Sequence, residues 1–273
     1  MALDPLPLFL WCTGLTVAYV GCLYVYPATR PSATVFRDDV AVIKARVVVI
    51  SITSVLAVVV AGAVGGAPIA DAGRALYLWP LPSAGLVLRT AVAPTLLLFA
   101  GPVLLRLSEP RELAVDARSA VSWIGLRNYI VGPLTEEIVF RGCMVYLHLL
   151  AGVGGKRTVL TTPLYFGIAH AHHALEVYLA DPRALKFALI SAAVQFVFTT
   201  IFGWYAALLL VRTGSVWVPT AAHALCNSLG VPHLGALPGP VWRTHAYRAA
   251  LVGGAVGFRY AVGPLTAVGR SLV

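Results

Sequence analysis

The stretch GPLTEEIVFRG, residues 132–142, sets Glu136 beside Glu137 and puts Arg141 four residues after the second glutamate, in otherwise apolar sequence. Two later apolar stretches carry imidazoles and an amide. YFGIAHAHHALE places Phe166 and His170 four apart with His173 about one turn on, and VPTAAHALCNSLG places His223 and Asn227 four apart. Side chains at that spacing share a helix face. Glu137 and Arg141 can therefore neutralise each other. Glu136, turned about 100° around the helix, needs its partner from elsewhere in the fold. A carboxylate and an imidazole around a water supply a general base and a proton shuttle, and an imidazole or amide N–H stabilises a developing oxyanion. That combination is the chemistry of peptide-bond hydrolysis.

The elements that must position these groups are membrane helices. Of 273 residues 59% are hydrophobic and 11% charged, and the mean hydropathy is +0.84, whereas a soluble domain has about 25% charged residues. Long apolar stretches rather than short alternating ones argue for helices instead of a barrel. The fold class expected is an all-α, polytopic bundle of about eight transmembrane helices around a polar cavity, read in windows of about 20 residues. The spans fall near 6–24, 47–67, 85–105, 124–150, 160–180, 187–211, 215–230 and 247–262. A charge at the centre of such a helix costs about 2.5 to 3.5 kcal/mol on insertion scales. Glu, His, His and Asn on three separate helices thus point to one shared polar site.

The first span lacks a basic run before it and a small-residue cleavage site after it, so it reads as an anchor. Arg30, Arg37, Lys44 and Arg46 favour a cytoplasmic loop between spans one and two. The net charge of +9 is scattered over short loops without a nucleic-acid module, which suits anionic lipid head groups rather than nucleic acid. Cys12, Cys22, Cys143 and Cys226 show no disulfide or metal spacing. Gly62 with Gly66, and Gly253 with Gly257, are small-residue spacings that permit close helix packing. One membrane domain, 1–273, is expected.

Other intramembrane protease designs do not fit. HExxH is absent, Val177 follows Glu176 where HxxEH would need a histidine, and no GxSxG or paired-aspartate motif occurs. Cys226 has no activating charge other than His223 three residues away. Glu136, His170 and His223 could instead form a two-histidine, one-carboxylate zinc site, and a glutamate–histidine proton relay would suit a transporter.

LTEEIVFRG, FGIAHAHH and HALCN resemble the EExxxR, FxxxH and HxxxN motifs of the CAAX prenyl endopeptidases, the Ras-converting type of intramembrane glutamate protease. RDDVAVIKAR at 37–46 and QFVFTTIFGWYAALLLVRTG at 195–214 are similar to the eukaryotic endoplasmic-reticulum branch. The strong part covers 126–232. The resemblance implies that Glu136 and His170 activate the attacking water and that His223 and Asn227 form the oxyanion site. Glu137 and Arg141 become a supporting pair, with Phe166 and His173 as supporting neighbours. No metal or other cofactor is implied. The implied substrates are prenylated CAAX proteins such as Ras-like small GTPases, cut to release the last three residues at an endoplasmic-reticulum site open to the cytosol. Phe140, Phe166, Phe196, Phe198 and Tyr205 are candidates for a lipid-facing groove, although helix packing is the plainer use of each.

Overall fold

The computed structural model describes residues 4–30, 35–109, 119–233, 235–269 and 271–272, and among these helices follow one another with no strand. Pro5 at the first helical position opens α1, Pro5–Val25. Then come α2, Val40–Val64, and α3, Ala84–Leu98, bent by 79° against α4, Ala100–Ser108. Residues 123–150 form one helical run, α5. It is followed by α6, Gly155–Ala169, α7, His172–Ala180, α8, Leu185–Thr213, α9, Trp217–Leu229, and α10, Val241–Thr266.

Three stretches, Pro5–Val25, Val40–Val64 and Pro182–Thr213, are each long and apolar enough to cross a membrane, and the bent α3–α4 pair makes a fourth if it counts as one span. The other expected spans are helical but carry interruptions with visible causes. Residues 124–150 hold Arg127, Glu136, Glu137 and Arg141, and α10 holds Arg243, Arg248 and Arg259. The stretch 160–180 breaks after Ala169, and α9 has only 13 residues. The outward faces suit lipid. Ile52, Val55 and Leu56 on α2 and Ile190, Val194 and Val197 on α8 are exposed, an arrangement a water-soluble protein avoids in large patches.

The middle of α5 is central. Val139, Phe140, Cys143, Met144 and Leu147 are buried against Cys12, Leu15 and Tyr19 of α1, Ile50 and Ala57 of α2, and Phe166 of α6. Two polar side chains inside this layer turn back onto their own helices, Thr16 donating to the Cys12 carbonyl and Ser54 to the Ile50 carbonyl at 2.8 Å each, so neither hydroxyl is stranded in apolar surroundings.

Two stretches of α5, Leu126–Val131 and Glu137–Cys143, widen into π turns, a feature frequent at functional sites. At the first, the Gly132 N–H reaches back to the Arg127 carbonyl. A Cβ on Gly132 would stand 2.7 Å from that oxygen. Pro133 follows and has no N–H to give, so the Asn128 carbonyl must accept from another element.

Glycines set the helix seams, although not at all the expected places. Gly203 of α8 lies where a Cβ would stand 2.6 Å from Pro163 of α6 and 3.3 Å from the Arg141 guanidinium. Gly62 meets Ala72 closely, but Gly66 faces open space and serves α2 through its positive φ of 73°. Gly253 also faces open space. It is Gly254, 2.8 Å by its missing Cβ from Ala100, that seats α10 on the α3–α4 bend.

Candidate active site

Glu137 is the most enclosed charge among the described residues. Its side chain and that of Arg141 are 0% and 1% exposed, with Arg141 Nη1 3.1 Å from Glu137 Oε1. That contact lacks the angle of a hydrogen bond, and Nη1, Nη2 and Glu137 Oε2 have no hydrogen-bond partner among the described residues. The guanidinium instead lies over the Phe166 ring, 4.2 Å from its centroid, and 5.5 Å from that of Phe202. Cation–π contact thus supplies part of what hydration would give it.

Glu137 does more than neutralise Arg141. Its Oε1 accepts from His223 Nδ1 at 2.8 Å, which fixes the ring and leaves only Nε2 to face Glu136, whose Oε2 is 3.5 Å away. The partner that Glu136 needs from another helix is therefore His223 on α9. Phe166 and Phe202 close the apolar side of that imidazole, at 6.1 and 4.6 Å between ring centroids. Glu136 is the more open carboxylate of the two, with 23% of its side chain exposed.

His170 sits where α6 ends. The last turn tightens, with His170 N–H donating to the Gly167 carbonyl and Ala171 N–H to that of Ile168. Nδ1 of His170 donates to the Phe166 carbonyl at 2.7 Å, so Nε2 carries the lone pair. The Phe166 ring packs edge-on against His170 at 4.6 Å. No hydrogen bond joins His170 to Glu136. His173, 6.0 Å from His170 between ring centroids, is held through Nδ1 by Glu176 at 3.0 Å. Asn227 is exposed and donates its amide to the orphaned Asn128 carbonyl at 2.9 Å. The structure thus brings Glu136, Glu137, Arg141 and His223 into direct contact and keeps His170 and Asn227 apart from them.

Three residues stand out here that the sequence reading did not single out. Asn128 anchors Asn227. Tyr19 stacks edge-on against Phe140 at 5.3 Å and bonds Thr135, one residue before Glu136, at 2.9 Å. Glu176 orients His173. Of these, the Asn128 carbonyl carries a local signal, namely the proline five residues later, and Glu176 carries another, its three-residue spacing from His173.

The aromatic groove is corrected as well. Phe140, Phe166 and Tyr205 are buried, spent on core packing and, for Tyr205, on a bond to Thr95 at 3.1 Å. Phe196 is half-buried, and Phe198 alone of the five is exposed. A cavity of about 700 Å³ lined by Lys156, Leu160, Leu208, Arg212 and Val268 lies away from this cluster. It adjoins the first half of α6, where Leu160 lies ten residues before His170, about 15 Å at 1.5 Å per residue.

Residues 118–229 match the family model described as type II CAAX prenyl endopeptidase Rce1-like. Over 247 residues the chain is 33% identical to the probable CAAX prenyl protease 2 of Schizosaccharomyces pombe, covering 89% of this chain and 88% of that one. It is 36% identical over 238 residues to the human CAAX prenyl protease 2, covering 81% and 70% of the two chains. The Arabidopsis thaliana CAAX prenyl protease 2 is 38% identical over 157 residues, 58% of this chain and 48% of that one. No solved structure matches. A helical chain with membrane-capable spans and these relatives is a membrane protease. It belongs to the type II CAAX prenyl endopeptidase, Rce1-like, family.

Proposed function

We propose that this protease removes the C-terminal tripeptide from prenylated CAAX proteins, Ras-like small GTPases among them, within the endoplasmic-reticulum membrane. The bundle counts about eight spans and residues 1–273 act as one protease domain. The observation that carries the mechanism is His223, held through Nδ1 by Glu137 with Nε2 turned to Glu136.

Glu136, beside a polar cluster yet part-exposed, takes a proton from the attacking water. His170, with Nε2 free to accept, shares that task and passes the proton toward the leaving amine. Asn227 and His223, the latter through an Nε2 that carries a proton at that step, face the oxyanion, and Glu137 with Arg141 fixes the angle of His223. Phe166 walls the imidazoles and His173 supports His170. A reading in which Glu136, His170 and His223 hold zinc has less support. Among the described residues the ligand atoms close enough together to hold a metal are those of His172, His173 and Glu176, not those three. A transporter-like relay would need no oxyanion donor.

The loop end of α1 and α2 lies over the site. Arg127 Nη1 binds Asp38 at 2.9 Å, and Glu136 is nine residues further along α5, about 13 Å deeper at 1.5 Å per residue. With Arg30, Arg37, Lys44 and Arg46 at that end, the cavity opens to the cytosol, and the prenyl chain stays in lipid while the peptide tail enters.

The test is cleavage of a prenylated CAAX peptide by purified protein with and without phenanthroline. Tripeptide release that survives the chelator is expected. Loss of activity restored by zinc would replace the glutamate mechanism with the metal one, and no release at all would remove the protease assignment to this substrate.

Asn227 gives a second measurement. Asn227→Ala is expected to lower kcat by about 10² with peptide binding retained, the scale of one oxyanion donor. Asn227→Asp should be worse, because it sets a carboxylate against both the Asn128 carbonyl and the oxyanion. Binding lost in proportion to rate would make Asn227 a substrate-positioning group instead.

A further inference from the structure

Beyond His170 the chain builds a second polar cluster from three helices. Arg46 at the start of α2 donates through Nη2 to the Thr29 carbonyl at 2.9 Å and to Glu176 Oε1 at 3.1 Å. Glu176 Oε2 accepts from His173 Nδ1, and His172 Nδ1 donates to the Ala169 carbonyl at 2.6 Å. The His172 and His173 rings are 4.0 Å apart, and Tyr24 of α1 meets His172 edge-on at 6.0 Å. The Arg46 and Glu176 side chains are each only 13% exposed.

Two donors in this cluster are left over. Arg46 Nε and the Tyr24 hydroxyl are both buried with no hydrogen-bond partner among the described residues. His172 and His173 donate through Nδ1, which leaves a lone pair on each Nε2. Each oxygen of Glu176 already accepts one bond. Buried donors left unpaired are costly unless an acceptor arrives. The ligand atoms of His172, His173 and Glu176 lie within 4.8 Å of one another, close enough to suit a metal ion. The Arg46 guanidinium against Glu176 places a fixed cation at that spot, however, which favours an anion over a metal.

We propose that Tyr24 and Arg46 form a subsite for the terminal carboxylate of the peptide substrate. The inference rests on the proposed tripeptide release. Three extended residues span about 10 Å. The cluster lies within that reach of His170, since ring steps of 6.0 Å to His173 and 4.0 Å on to His172 put the His172 ring no more than about 10 Å from it. A planar guanidinium is the side chain best shaped to hold a carboxylate in this way. Anchoring the chain end there sets the cut three residues from it.

The experiment compares a prenylated CAAX peptide bearing a free terminal carboxylate with its C-terminal amide, first on the wild-type protein. The amide is expected to lower kcat/KM by about 10- to 100-fold, the loss of one or two hydrogen bonds to a charged group, with the effect in KM. In Arg46→Gln and in the gentler Tyr24→Phe, the acid-to-amide ratio should fall toward one. Equal cleavage of acid and amide by the wild type overturns the subsite, and so does a ratio left unchanged in both variants. If the wild type cleaves neither peptide, tripeptide release itself has failed, a separate result.

Discussion

Glu136→Gln is expected to lower kcat for a prenylated CAAX peptide by about 10³ to 10⁴, toward the upper end for a single general base, while the protein stays folded in detergent. Glutamine keeps the volume and one acceptor oxygen, so packing around α5 has little to lose. Glu136 is 23% exposed, with His223 Nε2 at 3.5 Å, and no buried charge is stranded by neutralising it. What disappears is the basicity. Single-turnover cleavage by the purified variant, beside an unfolding curve, measures both halves. Activity within tenfold of wild type would show that another group accepts the proton.

Glu137→Gln should behave differently, and its largest effect should be on stability. Removing one partner of a buried ion pair costs about 3 to 5 kcal/mol because the other charge is left uncompensated. Here the stranded group is Arg141, 1% exposed. Its remaining support is the faces of Phe166 and Phe202. Arg141→Met alone should cost a similar amount by stranding Glu137. The double variant, with no charge to bury, should recover much of the loss. Thermal unfolding of the three variants in one detergent decides it, since a double variant no more stable than the singles would mean that the pair contributes through packing and not charge. Activity should fall in Glu137→Gln and in the double variant, because His223 loses a charged anchor at Nδ1.

The contacts of this cluster were legible in the sequence to different depths. Glu137 and Arg141 are four apart, so their pairing follows from helix geometry. That Glu136 needed a partner from another helix also followed, but nothing local said it would be His223 rather than His170. The choice depends on where α6 stops. Its last turn closes at His170 because the chain tightens there, and a hydropathy window running from 160 to 180 passes over that break. The link from Arg46 to Glu176 spans 130 positions and leaves no mark in either neighbourhood. The aromatic residues misled for a related reason. Hydropathy gives the same value to Phe140, wedged between α1 and α6, and to Phe198 on the outer face of α8. The π turn before Pro133 did carry a readable cause, a missing N–H.

The wide turn at Glu137–Cys143 also bears on how this segment can change by mutation. A π turn is, in effect, one residue inserted into an α-helix without breaking it. A single-residue deletion inside 137–143 would let the turn relax to α geometry, and the stretch beyond it, Met144–Leu150, would keep its phase relative to Glu136. The cost would fall inside the turn, on the groups it aims: Arg141 against the faces of Phe166 and Phe202, and Gly142 against the Leu76 carbonyl and Val216, each now 3.3 Å from where its Cβ would be. A one-residue deletion in the α-helical stretch after it, with no wide turn to absorb the change, would instead swing everything beyond by about 100°. In an alignment of relatives, a one-residue gap in this half of α5 should therefore fall inside 137–143 rather than after it.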